Sequence, residues 1–201
     1  MNKENVDIEI ILYFEEWVSY FNEYYSLLLD RYERFKELRA SGNSFDAETY
    51  LDIIIVQLRS LMLDKRGNKE SGVGSYTFQN ICALADDKNA ANRLDDLINS
   101  VLIPGVSSCD ECLVGYDCPK SVENCPVMED LTLGEGIKII ADRTICHYDN
   151  YYRKNRHKWE YIQLLKDMLY DENKKVNIDY VINTLKSLFH ERIKINWNSI
   201  D

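Results

Sequence analysis

Between residues 6 and 39 there is no Pro or Gly, and apolar residues recur at Ile11, Phe14, Val18, Phe21, Tyr25, Leu28, Tyr32 and Phe35. Steps of three and four are the period of one helix face, so the pattern predicts a single long amphipathic helix. Tyr24, Tyr25 and Tyr32 fall within it and read as core or interface aromatics. Ala40, Ser41, Gly42 and Asn43 stop it. A second helix is predicted from Phe45 to Asp64, with Ser44 or Asp46 as its cap. Its run YLDIIIVQLRSLML is apolar nearly all round and marks the most buried element. Arg59 lies inside that run, where an arginine pairs with a carboxylate, extends its charge outward or reaches a shared polar site.

Residues 64–74 read as a polar, Gly-rich loop whose GxG does not follow a strand, so a dinucleotide site has little support. Two shorter helices are predicted over Tyr76–Ala85 and Ala90–Leu102, the second ended by Pro104 and Gly105. Thr132 can cap a helix that starts at Leu133, with Glu135 in its first turn. Ile137, Ile140, Ala141, Thr144, Ile145 and Tyr148 mark its inner side. A further helix covers His157–Asp171, and a last amphipathic one covers Ile178–Trp197 with Ile182, Leu185, Leu188 and Phe189 inward. The expected fold is all-α: an up-and-down bundle of about five to seven helices. The whole of 1–201 reads as one helical domain, with a cysteine-bearing loop insert at 103–131.

Composition narrows the function classes. With 201 residues, 45% hydrophobic and 29% charged, the balance is that of a globular chain with a sizeable core. Only 3 Pro and 8 Gly argue against a many-turned β sandwich. A net charge of −10 disfavours a broad electrostatic grip on nucleic acid, although a local basic patch can still meet a phosphate. Charges interrupt every apolar run before it reaches membrane-spanning length, and MNKENVDIEI lacks a signal-peptide core. The expectation is a cytoplasmic protein with no membrane partner, in which six cysteines serve as thiols or metal ligands.

Four of those cysteines are close together: Cys109, Cys112, Cys118 and Cys125. Four thiolates in a compact polar loop suit one tetrahedral zinc ion in a structural role. Such a loop is too short to build its own core, so a metal would stabilise it. Free thiols, or disulfides formed on oxidation, are the other readings. Cys82 and Cys146 fall on predicted helices and read as small buried residues.

The most cationic stretch runs from Leu131 to Trp159. It holds His147 and His157 with Lys138, Arg143, Arg153, Lys154, Arg156 and Lys158 in a chain that is otherwise mostly acidic or apolar. Arg143 and His147 are four apart, so on a helix they share a face and can act on one ligand group. Asp149 and Asn150 follow at once.

A long first helix, a second bearing VQLRSLMLDKR and a later helix ending in IADRTICHYDN together resemble the HEPN superfamily. The likeness is greatest to the HEPN-like proteins of bacterial abortive-infection systems, in which a helix commonly ends in a pattern like Arg-Asn-Lys-x-x-Ala-His-x-Asp. On this chain His147 and Asp149 match the histidine and aspartate, and Arg143 matches a basic position. The family's catalytic arginine is separated from the histidine by four to six intervening residues. Here that position is Ala141, and Arg143 has only three residues before His147. The resemblance implies metal-independent RNA cleavage by a homodimer with a composite site, in a phage-defence or toxin-type setting. In that chemistry His147 moves the proton of the ribose 2′-OH or of the leaving oxygen. Arg143 holds the charge that builds on the phosphate, and Arg153, Lys154, Arg156 and Lys158 grip the RNA. The departure at Ala141 leaves room for a degenerate RNase. It also leaves room for a different class: a non-catalytic helical interaction module, zinc-stabilised, that binds a partner protein through an acidic surface.

The cysteine reading has a direct check. Freshly purified protein is expected to carry about one zinc per chain, and Cys112→Ser should loosen the insert while the bundle survives. Elemental analysis that finds no zinc or iron removes the metal.

Overall fold

In the computed structural model, residues 3–63, 77–84, 87–103, 130–142 and 156–189 are described. The first helix, α1, runs Lys3–Ala40, and the second, α2, runs Ser44–Leu63. Three residues join them, and the way α1 ends explains why so few suffice. Gly42 takes the left-handed conformation, with φ +76°. The Gly42 N–H then donates to the Arg39 carbonyl at 3.1 Å and the Asn43 N–H to the Leu38 carbonyl at 3.0 Å. This is the paired closure by which a glycine satisfies the last helical carbonyls. The cap of α2 differs from expectation: it is Asn43, whose Oδ1 accepts the Asp46 N–H at 3.4 Å and whose Nδ2 donates to Asp46 Oδ2 at 2.7 Å. Ser44 is already the first helical residue, because the turn at Gly42 leaves the chain one position earlier than the sequence suggested.

The chain divides into two compact units, one reaching to Leu94 and one from Asp95 onward. In the first, α1 and α2 pack as an antiparallel hairpin, and a short helix α3, Phe78–Leu84, packs on α2. The predicted stripe of α1 is its buried face: Val18, Phe21, Tyr25, Leu28, Tyr32 and Phe35 are all 6% exposed or less. Tyr24, read as core or interface, is 50% exposed and so is not part of the core. Phe78 meets Phe21 and Tyr25 edge-on, with ring centroids 5.2 and 5.7 Å apart. That geometry sets a ring's positive edge against a negative face and adds to the area buried. Burial lifts the Tyr25 hydroxyl well above the ordinary phenol range. The Thr77 hydroxyl caps α3 by accepting the Asn80 N–H, and Gln79 donates its amide to the Met62 carbonyl near the end of α2. Towards its C-terminus α1 covers two buried rings with cations, Lys36 over Tyr32 and Arg39 over Phe35, each 4.9 Å from the centroid.

Helix α4, Lys88–Ile98, starts at Asp87, whose carboxylate accepts the Ala90 N–H at 2.9 Å. The division between the units falls within it. The helix ends earlier than predicted. Asn99 Nδ2 and Ser100 Oγ donate back to the carbonyls of Asp95 and Asp96, and Val101–Ile103 becomes strand β1. The second unit adds strand β2, Leu131–Thr132, and helices α5, Leu133–Ile140, α6, Arg156–Tyr170, and α7, Ile178–Phe189. The seven helices, with one antiparallel strand pair, make the described residues an all-α helical bundle. Between α6 and α7 the buried Asn177 organises a turn. Its Nδ2 lies within 3.0 to 3.3 Å of the carbonyls of Asp171, Glu172 and Lys174, and its Oδ1 caps α7 at the Tyr180 N–H. The Asn173 N–H and side-chain amide hold the Asp171 carboxyl below the usual carboxylate value. Its contribution is therefore complete above the unfolded value and fades as pH falls through the lower folded one. Val181, Ile182, Leu185, Leu188 and Phe189 turn inward from α7, matching its predicted apolar face.

The aromatic cluster sets a contrast to be measured by chemical denaturation. Phe78→Ala should cost about 3 to 5 kcal/mol, because the ring is fully buried. Phe45→Ala should cost less than about 0.5 kcal/mol, because Phe45 is 79% exposed.

Candidate functional site

The cationic stretch is entered along α5, and the sequence fixes that helix at its start. Thr132 Oγ1 accepts the Glu135 N–H at 3.3 Å, and Glu135 Oε2 accepts the Thr132 N–H at 2.8 Å, the reciprocal box that satisfies two orphan donors. The predicted cap is thus in place. The Leu133 N–H donates to the Ser100 carbonyl at 2.8 Å, which ties the start of α5 to the residue that ends α4. Leu133, Gly134, Gly136, Ile137 and Ile140 face inward, while Glu135 and Lys138 are exposed. Helix α5 packs on β1, β2 and α6. A Cβ on Gly136 would lie 2.6 Å from Leu102 Cδ2, so a larger residue there would oblige the end of the Leu102 side chain to shift. At its far end the backbone stays helical. The Ala141 N–H is shared by the carbonyls of Ile137 and Lys138, and residues 141–142 form a π-type turn.

Arg143, His147, Asp149, Arg153 and Lys154 lie outside the described residues, as do Thr144, Ile145 and Tyr148. Arg156 and Lys158 are in the first turn of α6, with their side chains outside the described set. The described residues on either side of the stretch, Asp142 and Arg156, belong to the end of α5 and the start of α6, and those two helices pack together. Ala141, where the resemblance would expect an arginine, is fully buried, and an unpaired guanidinium there would lose its hydration. Arg59 is half-buried on α2.

Cys109, Cys112, Cys118 and Cys125 also lie outside the described residues. What frames them is the strand pair. Val101 is opposite Thr132 and Ile103 opposite Leu131, with an irregularity between the two pairs. The two ends of the insert are thereby held side by side. The helical reading of Val101 and Leu102 missed this pair. The signal was present in β-branched Val101 and Ile103 directly after the Asn99–Ser100 stop. Cys82 is buried, as a small apolar residue would be. Among the described residues no group of three or more His, Cys, Asp or Glu is placed to hold a metal. None of the described helices is long and apolar enough to cross a membrane.

Comparison with protein-family models, with curated proteins and with solved structures found no match.

The close approach at Gly136 is testable by stability. Gly136→Ala should cost about 1 to 3 kcal/mol by overpacking. Leu102→Val removes the atoms that the new methyl would meet, so the double variant should recover part of the loss. Additive costs in the double-mutant cycle would show that the contact is not the cause.

Proposed function

We propose that the protein is a HEPN-like, metal-independent RNase that acts as a homodimer in a phage-defence or toxin-type setting. The observation that carries this reading is the end of α5. A capped, core-packed helix keeps its helical backbone to the residue before Arg143, which stands four ahead of His147. If that backbone continues for one more turn, the guanidinium and the imidazole share a face. His147 then serves as general base towards the 2′-OH and as general acid towards the leaving oxygen. Arg143 offers two parallel N–H donors to the phosphate, where negative charge grows in the transition state. Asp149 orients the histidine, and Arg153, Lys154, Arg156 and Lys158 supply the counter-charge that the acidic remainder of the chain lacks. In this reading Arg143 takes the arginine's task, since Ala141 stands where the resemblance expects one.

In this reading the cysteine insert is structural. Strands β1 and β2 hold its base, and Cys109, Cys112, Cys118 and Cys125 would hold zinc, a donor set that suits a closed tetrahedral site. The alternative is a non-catalytic interaction module. It is favoured by the same buried Ala141, which removes the family's usual arginine from the site.

The test is cleavage of single-stranded RNA without divalent metal, with the product ends examined for a cyclic phosphate. His147→Ala should lower the rate by about 100- to 10,000-fold, the usual size of general acid–base catalysis. Arg143→Ala should cripple the reaction, and Arg143→Lys should restore only part of it, because lysine keeps the charge but not the fork. Thermal stability should hardly change, and light scattering should give the mass of a dimer. Equal rates in wild type and His147→Ala would remove the catalytic reading, and no cleavage by either would leave the interaction module.

A further inference from the structure

Helix α1 carries a second apolar line. Tyr20, Tyr24 and Leu27 follow steps of four and three, each one residue ahead of the core positions Phe21, Tyr25 and Leu28. One residue is about 100° of helical turn, so this line lies beside the buried face rather than within it. Its side chains are 42%, 50% and 40% exposed. Isolated exposed apolar residues are ordinary, but three in register on two adjacent turns make a patch. The line stops at the half-buried Arg31, and in the sequence the same spacing extends backward through Trp17 and Tyr13.

Charge along the border selects the occupant. Glu23 and Asp30 are seven residues apart, hence on one line along the helix, on the side of the patch away from the core. Both are exposed, and neither forms an ion pair among the described residues. Further along the same helix the pattern differs, with Glu33 paired to Lys36 and Glu37 to Arg34. The acidic line continues in the sequence at Glu16 and Glu9, again at steps of seven. A second copy of this chain seated here by a two-fold axis would bring the acidic line against itself. It would also set a net charge of −10 against −10. A helix with an apolar stripe and a cationic border meets both features at once.

We propose that the outer edge of α1, Tyr20, Tyr24 and Leu27 bordered by Glu23 and Asp30, docks an amphipathic helix of another protein whose border carries Lys or Arg. The surface is independent of RNA cleavage: it uses none of the residues assigned to that reaction.

The experiment titrates the full-length chain into a fluorescein-labelled designed helix with Leu at its three–four positions and Lys along one border. A twin peptide has Glu in place of Lys. Saturable one-to-one binding of the Lys peptide is expected, weakening as salt is raised. Tyr24→Ser should weaken it by about tenfold or more, the scale of an interface aromatic. The Glu23→Lys, Asp30→Lys double variant should transfer the preference to the Glu peptide. That variant alters no apolar contact, so it decides the matter even if Tyr24→Ser fails to fold. RNA cleavage, where present, should be the same in all of these proteins. The proposal is overturned if the Lys peptide does not bind, or if the charge exchange leaves the preference unchanged. It is also overturned if light scattering shows a wild-type dimer that Tyr24→Ser converts to monomer, which would assign the edge to a second copy.

Discussion

At Gly136 an added Cβ would meet the end of the Leu102 side chain 2.6 Å away, so α5 and the strand before the cysteine insert lie in close contact. The strand pair, the reciprocal cap at Thr132 and the bond from Leu133 to Ser100 all gather at the same end of the helix. A helix held at its N-terminus in this way carries a defined backbone as far as Asp142.

The first unit is built on a different principle. Its helices α1 and α3 meet through aromatic rings, and α2 buries an aliphatic face. Phe78 reaches two rings of α1 from a helix only seven residues long. So short a helix is marginal by itself, and its place is secured by that ring and by the bond from Gln79 to the end of α2.

Elements with strong local signals were legible in the sequence. The inner stripe of α1, the stop at Gly42 and the cap at Thr132 depend on neighbouring residues and stand where the pattern put them. Features set by distant partners were harder to read. Tyr24 and Tyr25 both fit a three–four spacing, and only the position of α2 decides which of the two phases is buried. Strand β1 is three residues long and its partner is beyond the insert, so periodicity within a window could not find it. Ser44 is as good a capping residue as Asn43, and the choice was made by the preceding turn. The candidate site was legible as a cationic run with Arg143 and His147 four apart. What the fold adds is its two anchor points, Asp142 and Arg156, and a core role for Ala141.

The hairpin of α1 and α2 also dictates an order of events. Its contacts lie close together along the chain, and local contacts form quickly. Synthesis proceeds from the N-terminus, so this hairpin is complete before α3 has been made. During that interval Phe21 and Tyr25 lack the ring of Phe78 that later closes over them. The nascent protein thus carries a temporary aromatic opening of its own, apolar surface exposed only until α3 is made.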